Sequence, residues 1–450
     1  MMPTPIQSSQ PIFSDAQVAQ AISALHIADI HQATIGEVLL VATYLEKTFA
    51  IPMIRMDQGS PGLPANKVGL EAERAALARG VGSQYPPAGG IPELKTAASA
   101  FVKAFLAIDI SPRSCVPTTG SVCSSFGSFI ACTQRNQTQD TILFLDPGFP
   151  IQKAQLNVLG IPYEAFDINP FRGQGLGPKI ETYLAKGNIA GIIYSNPNNP
   201  TWGCLEESEL QQIGTLATKY DVIILEDQAY FCMDTRKSLG TPYQAPFAPT
   251  IANYTDNYIL MISASKMFSY AGQRCALLCI SDKLYERHYP ILAARYHDAG
   301  IFGDSLIASI LYMITSGTTS STQYGVAEML KQSVLGTIDF VHDTHAYADR
   351  AARMKTIFEK YGFHVVYDKD VSAPVGDGFF FTIGFGTMTS GELVSALLHY
   401  GVSSIALSTT GGDLEGVRAC TSRMREDLYE VLDTRMAAFA EAYKDRLQKK

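Results

Sequence analysis

Short apolar runs alternate with longer segments of helical spacing between about residues 70 and 320. The strand-like runs cover residues 142–145, 161–166, 190–195, 221–226, 257–263 and 274–280. Strands that alternate with helices require crossover connections, and such connections give parallel neighbours in a sheet. The pattern therefore predicts an α/β fold with a mainly parallel central sheet flanked by helices.

The rest of the chain mixes helical and strand patterns on both sides of this region. Helical spacing dominates residues 12–50 and 326–361, strands are expected near 363–367, 378–384 and 416–420, and a final helix is expected from about 424 to 447. We predict an N-terminal arm with part of a small domain at 1–65, a large domain at 66–325, and an interdomain helix with a small C-terminal α/β domain at 326–450. The arm is expected to pack on the C-terminal lobe or on a partner.

The composition is that of a globular protein with a large core. Of the 450 residues, 46% are hydrophobic and 17% are charged, and the formal net charge is −8. An acidic balance without a long basic run disfavours binding to nucleic acid or to anionic membranes. Residues 35–45 are apolar but include Glu37 and are too few to span a bilayer, so they predict an ordinary helix.

The cysteines and the N-terminus bear on the compartment. The eight cysteines show neither a Cys-x-x-Cys pair nor the spacing of a metal site. Most lie in apolar segments, as is typical of reduced core thiols. Residues 1–10 lack a positive region followed by an apolar stretch, so no signal peptide is expected. These features predict a cytoplasmic protein without a bound metal.

A lysine at the end of an apolar run is the first candidate for chemistry. Ser263-Ala264-Ser265-Lys266 follows the run at 258–262, and Arg274 comes eight residues later. A lysine amine can form a Schiff base with an aldehyde, while a hydroxyl and a guanidinium can hold a phosphate. Alone, this motif is common, and most lysines are solvated surface groups. Its weight depends on what else the sequence places nearby.

Two further motifs also end apolar runs. Ser-Asn-Pro-Asn-Asn-Pro-Thr occupies residues 195–201, and Glu-Asp-Gln-Ala-Tyr occupies residues 226–230. Because α/β sheets bind ligands at the carboxyl ends of their strands, these motifs and Lys266 are expected at one edge. The set, from about residue 56 to the C-terminus, resembles the fold type I pyridoxal-phosphate enzymes, specifically the class I and II aminotransferases of the aspartate aminotransferase superfamily.

The resemblance implies pyridoxal 5'-phosphate as cofactor, bound by the large domain, with Lys266 as its Schiff-base lysine. Asp227 would contact the ring nitrogen, since an anionic carboxylate keeps that nitrogen protonated. Asn199 and Tyr230 would hydrogen-bond the phenolic oxygen of the ring. The alternatives are a capping or turn aspartate and a simple Asn-Pro turn.

The resemblance also implies a phosphate site and a dimer. Residues 118–122 place Gly120, Ser121 and Val122 before a helix-compatible stretch, and a helix N-terminus attracts anions. Ser263 and Arg274 would complete this site from the same chain. Tyr85, in a Tyr-Pro-Pro-Ala-Gly-Gly segment, would reach the phosphate of a neighbouring subunit, so a homodimer with shared active sites is expected. The alternative is an ordinary loop tyrosine.

Three residues correspond to positions that contact the ring face or the substrate in the family. Phe149 would lie over the cofactor ring, although a core phenylalanine is the alternative. Arg418 would grip the substrate α-carboxylate in the bidentate way that suits a guanidinium, unless it is a surface arginine in a salt bridge. The Gly59 backbone would approach the same carboxylate, as would Asn199.

Two departures from the family pattern affect these expectations. The family's Asn-Pro-Thr-Gly reads Asn-Pro-Thr-Trp here, so Trp202 either avoids a positive φ or adopts one under strain. Dicarboxylate-specific members use a second arginine from the partner subunit, but residues 298–304 contain none, and Arg295 lies just before this stretch. A strict aspartate aminotransferase is therefore not the first expectation.

The resemblance predicts an enzyme that moves an amino group between an L-amino acid and a 2-oxo acid, with Lys266 as acid and base. The same constellation serves β-lyases and decarboxylases, and a non-catalytic effector-sensing domain is a rival from another class. The donor, the acceptor and the pathway stay open.

Overall fold

The computed structural model describes residues 10–447, so the expectation of no signal peptide in residues 1–10 lies almost wholly outside the described residues. The strands are β1 (Ile54–Arg55), β2 (Cys115–Thr118), β3 (Thr141–Asp146), β4 (Tyr163–Asp167), β5 (Ile189–Ser195), β6 (Ile223–Gln228), β7 (Tyr258–Ser263), β8 (Ala276–Ile280), β9 (Phe363–Val365), β10 (Phe380–Phe385), β11 (Val402–Ser403), β12 (Ile405–Ala406) and β13 (Val417–Cys420).

The first nine α-helices are α1 (Asp15–Ala24), α2 (Ile35–Phe49), α3 (Lys67–Ala78), α4 (Pro92–Leu106), α5 (Ser121–Gln134), α6 (Pro150–Leu159), α7 (Leu176–Leu184), α8 (Glu207–Lys219) and α9 (Ala264–Met267). The others are α10 (Asp282–Tyr285), α11 (Pro290–Tyr296), α12 (Phe302–Asp304), α13 (Tyr312–Thr315), α14 (Ser320–Val334), α15 (Phe340–Thr344), α16 (Ala346–Lys360), α17 (Ser390–His399) and α18 (Tyr429–Ala442). A π-helical segment, Ser305–Leu311, joins α12 to α13.

The central sheet has seven strands in the order β2-β8-β7-β6-β5-β3-β4. Strands β3 to β7 run parallel, and β8 is antiparallel to both of its neighbours. The predicted mainly parallel sheet with flanking helices is confirmed. Residues of β3, β5, β6 and β7 are buried throughout, which explains why their sequences read as continuous apolar runs. Ser195 lies directly beside Asp227 at the carboxyl edge.

A second core lies between the N-terminal helices and the C-terminal elements. A four-stranded antiparallel sheet, β12-β13-β10-β9, and the short parallel pair β1-β11 form one side of this core. Val41 and Leu45 of α2 are buried in one apolar cluster with Phe381 and Phe439. The backbone N–H groups of Ile12 and Phe13 donate to the carbonyl of His399. The N-terminal segment therefore packs on the C-terminal lobe. The domain limits at 65 and 326 stay a prediction.

The expectation of a long helix over residues 326–361 is wrong, because the helical stretch is not continuous. Three helices occupy this stretch, α14, α15 and α16. Gly336 has a φ of 73°, which ends the helical path after α14, and the Asp339 side chain then caps α15 by accepting from the N–H of His342. The last helix, α18, begins at Tyr429 rather than near 424, because a short 3₁₀ turn, Glu426–Leu428, precedes it.

Other features concern membranes, metals and thiols. Within residues 10–447, none of the helices has the length and apolar character needed to cross a bilayer. The same part of the chain contains no cluster of three or more His, Cys, Asp or Glu residues arranged to hold a metal ion. All eight cysteines are free, and six of them are buried.

Candidate active site

A cavity of about 680 Å³ lies where the carboxyl edge of the central sheet faces the second sheet and the start of α2. Strand ends, helix N-termini and loops each contribute side chains. From the sheet edge and the segments after it, the predicted residues that line the cavity are Asn199, Asp227, Tyr230, Ser263, Lys266 and Arg274. From elsewhere they are Gly59, Ser121, Val122, Phe149 and Arg418.

Lys266 lies in α9, which starts directly after β7. The Ser263 hydroxyl caps this helix by accepting from the N–H of Ser265 at 3.2 Å, which fixes where the lysine leaves the strand. The Lys266 Nζ donates to the carbonyl of Gly59. The pKa of the Lys266 amine is lowered to about 8, mainly by burial and also by the positive charges of Arg418 and Arg274, against an opposing effect of Cys420. A lysine with this pKa is available as a nucleophile or base near neutral pH.

Asp227 is the fifth residue of β6 and is buried. Its Oδ1 accepts from the backbone N–H of Ala229 at 3.1 Å, so the turn role considered above is also present. Its Oδ2 accepts from Gln152 Nε2 at 2.9 Å. Burial raises the pKa of Asp227 to about 6, although the bonds from Ala229 and Gln152 oppose that rise. The carboxylate is therefore ionised at neutral pH and held at both oxygens.

Gln152 is a site residue that the sequence did not indicate. It lies on α6, shortly after Phe149, and is buried against the cavity. Nothing in its local sequence distinguishes it from a surface glutamine on a helix. The only available signal was its place in the first turn of a helix that follows a strand of the central sheet.

Arg418 is the second residue of β13, and its side chain is buried. Its Nη1 donates to Asn199 Oδ1 at 3.2 Å and its Nη2 donates to the carbonyl of Asp57 at 2.6 Å. Burial lowers the pKa of Arg418, and within the described residues it forms no salt bridge. The alternative of a surface arginine in an ion pair is therefore wrong. Its buried Nε has no hydrogen-bond partner among the described residues.

Tyr230 lies in an aromatic group beside Asn199. Its ring centroid is 5.3 Å from that of Trp202 and 5.4 Å from those of Phe379 and Phe380. Burial raises the pKa of the Tyr230 phenol well above its ordinary value, so the hydroxyl stays protonated and can donate. The Asn199 side chain has its oxygen on Arg418, which leaves its amide nitrogen as the donor group.

A candidate anion site lies where α5 begins. Gly120 precedes this helix with a φ of 80°, and a Cβ added there would lie 2.3 Å from Arg274 Nη2. A side chain at residue 120 would therefore displace the guanidinium from the helix N-terminus, where Ser121 and Val122 line the cavity. Arg274 has a φ of 52°, and its Nη1 donates to the carbonyl of Ala271 at 2.9 Å. A guanidinium beside a helix N-terminus is a site for phosphate.

Two predicted residues differ from the others in their surroundings. Phe149 lines the cavity and is partly exposed, so it is not a core phenylalanine. Tyr85 lies outside the cavity and is 86% exposed, so within one chain it contacts none of the site described above.

Trp202 adopts a positive φ, which is the second of the two conformations considered from the sequence. Its φ is 66°, in the left-handed region, and its side chain is only 1% exposed. The indole lies on Gly378, where an added Cβ would come within 2.0 Å of the ring. The glycine-like backbone is thus kept, while the side chain fills the space between two lobes.

Comparisons with known proteins give matches to aminotransferases. The sequence model of the family "aminotransferase class I and II" matches residues 51–432. An asparagine–oxo-acid transaminase from Streptococcus mutans is 25% identical over 404 residues, which covers 86% of this chain and 92% of that protein. An aspartate aminotransferase from Pyrococcus horikoshii is 29% identical over 226 residues, which is 49% of this chain and 54% of that protein. The chain thus matches only about half of this second relative's length.

The fold is also that of solved aminotransferases. An alanine aminotransferase from Pyrococcus furiosus superimposes with a TM-score of 0.73 at 19% identity, covering 91% of this chain and 97% of that one. An aspartate aminotransferase from Thermotoga maritima gives a TM-score of 0.72 at 18% identity over 93% and 98%. These likenesses confirm the predicted fold type I architecture. Together with the family match over most of the sequence, they confirm the resemblance, and the chain belongs to the aminotransferase class I and II family.

Proposed function

We propose that this chain is a pyridoxal-phosphate-dependent aminotransferase that moves an amino group between an L-amino acid and a 2-oxo acid. The observation that carries the proposal is one cavity that is lined by an amine, a carboxylate and a guanidinium. Lys266 has a lowered pKa, Asp227 is ionised and bonded at both oxygens, and Arg418 has an unpartnered Nε.

The residues present fit the cofactor. Gly120, Ser121, Val122, Ser263 and Arg274 would hold its phosphate, since a helix N-terminus, a hydroxyl and a guanidinium favour that anion. When bound, pyridoxal phosphate supplies an aldehyde for a lysine amine and a ring that withdraws electrons from the substrate.

The chain's own groups would then divide the work of transfer. The Asp227 carboxylate would keep a ring nitrogen protonated, and the Asn199 amide and the Tyr230 hydroxyl would donate to the ring oxygen. Phe149 would pack on the ring face. Lys266 would hold the cofactor through its amine, and the same amine, when free, would remove and return the proton at the substrate α-carbon.

The substrate carboxylate would bind at Arg418. A guanidinium with a buried, unpartnered Nε gains a partner when a carboxylate enters, and it already has Asn199 and the Asp57 carbonyl to hold its position. The backbone at Gly59 adjoins this place, because its carbonyl accepts from the Lys266 amine. The carboxylate is therefore expected between Arg418, Asn199 and Gly59.

A homodimer with shared sites is part of the proposal. Tyr85 is 86% exposed, and Tyr312, Met313 and Ile314 expose 39%, 73% and 37% of their surfaces. The two segments are neighbours, since a Cβ on Gly317 would lie 3.0 Å from the Pro86 ring. Exposed apolar side chains on two neighbouring segments are typical of an interaction surface. Cytoplasmic location stays a prediction.

The proposal is tested by a half-reaction. Purified protein loaded with pyridoxal phosphate is mixed with single amino acids, and we expect loss of the cofactor's visible absorbance together with release of the matching 2-oxo acid. A lyase is the second candidate, because an S-alkyl-thiohydroximate lyase from Arabidopsis thaliana is 25% identical over 182 residues. Release of a fragment of the side chain, or of carbon dioxide, in place of the matching oxo acid would contradict transamination.

Covalent labelling tests the role of Lys266. Borohydride reduction and peptide mapping should place the pyridoxyl label on Lys266 in the wild type and on no peptide of Lys266→Ala. The matched control is Lys95→Ala, since Lys95 is another lysine whose pKa burial lowers, and the label should stay on Lys266 in that variant. A label on any other lysine of the wild type would contradict the assignment.

A further inference from the structure

A short segment, residues 267–273, joins Lys266 to Arg274, the two residues proposed to hold the aldehyde and the phosphate of the cofactor. Ser269 and Arg274 have φ angles of 51° and 52°, both in the left-handed region. Residues other than glycine keep such a backbone only where their surroundings hold it in place. The contacts that anchor this segment therefore decide where the Arg274 guanidinium lies.

Tyr270 is the buried anchor of the segment. It is 1% exposed and belongs to the same apolar cluster as Phe268. Its hydroxyl donates to Glu73 Oε2, on α3, at 2.6 Å. Burial and the bond to Glu73 raise the pKa of the Tyr270 phenol, so the hydroxyl stays protonated. The backbone N–H of Tyr270 donates to the carbonyl of Ala264 at 3.3 Å, so the residue is held by its side chain and by its backbone.

Arg274 is connected to Tyr270 through one turn of backbone. The 3₁₀ turn Ala271–Gln273 follows Tyr270, and the N–H of Gln273 donates to the Tyr270 carbonyl at 3.2 Å. The Ala271 carbonyl accepts from the N–H of Arg274 at 3.4 Å and from its Nη1 at 2.9 Å. Because Ala271 is the chain neighbour of Tyr270, a shift of the tyrosine displaces the guanidinium as well.

Glu73 links this turn to a third element. Its Oε1 accepts from Ser321 Oγ and Thr322 Oγ1, each at 3.1 Å. Both hydroxyls belong to the first turn of α14, where the N-cap residue Thr319 makes no side-chain cap bond. A carboxylate near a helix N-terminus is also favoured by the helix dipole. One carboxylate thus connects α3, α14 and the segment that leads to Arg274.

Close packing of α3 against α14 fixes the place of this carboxylate. A Cβ added at Gly325 would lie 2.9 Å from the carbonyl of Gly69 and 3.0 Å from the Tyr270 hydroxyl oxygen. A Cβ added at Gly69 would lie 2.6 Å from the sulfur of Met329. The two helices therefore touch at glycine positions, which leave room for the hydroxyl and hold Glu73 beside it.

We propose that Glu73 and Tyr270 are positioning residues, and that their hydrogen bond holds the Arg274 guanidinium at the candidate phosphate site beside the start of α5. This proposal rests on the proposed function, which assigns Arg274 to the cofactor phosphate. Neither Glu73 nor Tyr270 is among the described residues that line the cavity, so both act through Arg274. Without their bond, the left-handed turn can relax and the contact between guanidinium and phosphate weakens.

Two ligands test whether the effect passes through the phosphate. Tyr270→Phe removes only the hydroxyl, and cofactor-free protein is titrated with pyridoxal phosphate and, separately, with pyridoxal, which lacks the phosphate. We expect the dissociation constant for pyridoxal phosphate to rise by on the order of tenfold, and that for pyridoxal to change by less than about twofold. An equal rise for both ligands, or a rise for neither, would overturn the proposal. A wild type that binds neither ligand would instead defeat the proposed function.

Tyr285→Phe is the matched control. Tyr285 is also buried, and its hydroxyl donates to Asp304 Oδ1 at 2.7 Å, but it does not line the cavity. This variant loses a comparable bond from a tyrosine to a carboxylate, and it should keep the wild-type dissociation constants for both ligands. If it weakens the binding of pyridoxal phosphate as much as Tyr270→Phe does, the loss is not specific to the bond with Glu73.

Substitutions at Glu73 test the other partner of the bond. Glu73→Gln keeps an oxygen that can accept from Tyr270 and should bind pyridoxal phosphate within about threefold of the wild type. Glu73→Ala should reproduce the loss of Tyr270→Phe, and the double variant should bind no more weakly than either single one, because both remove the same interaction. Additive losses, or wild-type binding by a folded Glu73→Ala, would overturn the assignment of Glu73. If Glu73→Ala is insoluble, the comparison of the two ligands in Tyr270→Phe decides the proposal.

Discussion

Burial shifts the pKa values of two side chains in the cavity, Lys266 and Asp227, in directions that suit the roles proposed for them. Removing water disfavours a charged form, so it lowers the pKa of the Lys266 amine to about 8 and raises that of the Asp227 carboxyl to about 6. Above about pH 6 Asp227 is ionised, and a growing share of Lys266 is neutral as the pH approaches 8. A reactive amine and an anionic carboxylate therefore coexist near neutral pH.

Gln152 is predicted to set the acid limit of activity. Its Nε2 donates to Asp227 Oδ2 at 2.9 Å and favours the ionised form. Gln152→Met removes this donor, so the carboxyl takes up its proton at a higher pH, and the acid limb of the pH–rate profile should move upward. One hydrogen bond of ~0.5–1.5 kcal/mol corresponds to a shift of roughly 0.5–1 pH unit. The measurement is the half-reaction rate between about pH 5 and 9.

The control for Gln152 lies on the same helix. Gln155 is also buried but bonds to Ser125 and to the carbonyl of Val122, with no bond to Asp227. Gln155→Met should leave the acid limb in place. An equal displacement in both variants would indicate a general loosening of α6 instead of the lost bond to Asp227.

The Trp202 side chain is predicted to stabilise the fold by packing, while the left-handed φ of its backbone destabilises it. Truncating a buried tryptophan typically costs ~3–5 kcal/mol, whereas a left-handed backbone costs an L-residue ~1–2 kcal/mol that glycine does not incur. Since Trp202 is buried with a φ of 66°, both Trp202→Ala and Trp202→Gly should lower the thermal midpoint, with glycine the less damaging of the two. Cys204, in the same loop without a positive φ, should show the opposite order for its glycine and alanine variants.

At the scale of elements, the start of α5 shows how a helix can favour the binding of an anion. The helix follows β2, and its N-terminus opens into the cavity beside the Arg274 guanidinium. The dipole and the backbone N–H groups of the first turn favour an anion there. The arginine can approach because Gly120 has no side chain.

Gly120→Ala is predicted to weaken cofactor binding. The new Cβ would lie 2.3 Å from Arg274 Nη2, so the guanidinium must move away from the phosphate site. Losing one charge-assisted hydrogen bond of ~1.5–3 kcal/mol raises the dissociation constant by roughly 10- to 150-fold. The control is Gly80→Ala, which has nearly the same φ, 81°, but open space around the new Cβ. If both variants bind the cofactor equally well in a spectroscopic titration, the clash with Arg274 is unimportant.

The elements themselves were predicted well where their signals are local. The fully buried strands β3, β5, β6 and β7 were found within a few residues, because a short continuous apolar run between turns is typical of a strand buried on both faces. The helical pattern over 326–361 was correct in type and wrong in continuity. Its break depends on the left-handed φ of Gly336, which a glycine permits but does not require.

At the scale of the whole molecule, the cavity exists only because two lobes face each other. Asp227 lies on the central sheet and Lys266 lies in the helix that directly follows β7, while Arg418, Phe380 and Ile35 come from elements of the second core. The exposed Tyr85 and the apolar surface near it support the proposal that a second copy completes each site.

Subunit mixing tests this arrangement. Tyr85→Ala and Lys266→Ala, each inactive or strongly impaired alone, should regain activity when unfolded and refolded together, because one site in each heterodimer then has both wild-type residues. As a control, Lys266→Ala mixed with Asp227→Ala should recover nothing, since those two residues belong to the same subunit's site. An active monomer, or no recovery with an impaired Tyr85→Ala, would contradict the shared site.

The grouping of the chemically active residues at one edge of the sheet could be predicted from the sequence alone. A lysine, a carboxylate and an amide that follow strands of a parallel sheet must meet at its carboxyl edge, so Lys266, Asp227 and Asn199 could be grouped without knowledge of the folded chain. Such signals are local, and they are readable because each depends on a short window of residues.

The surroundings of these groups depend on the tertiary structure. The bond from Gln152 to Asp227, the burial of Arg418 beside Phe380, and the place of Ile35 in the cavity wall all involve contacts that no short window of sequence contains. The physical reason is that pKa values, desolvation and the polarity of a binding site depend on neighbours in space, and no local pattern specifies which distant residues those will be.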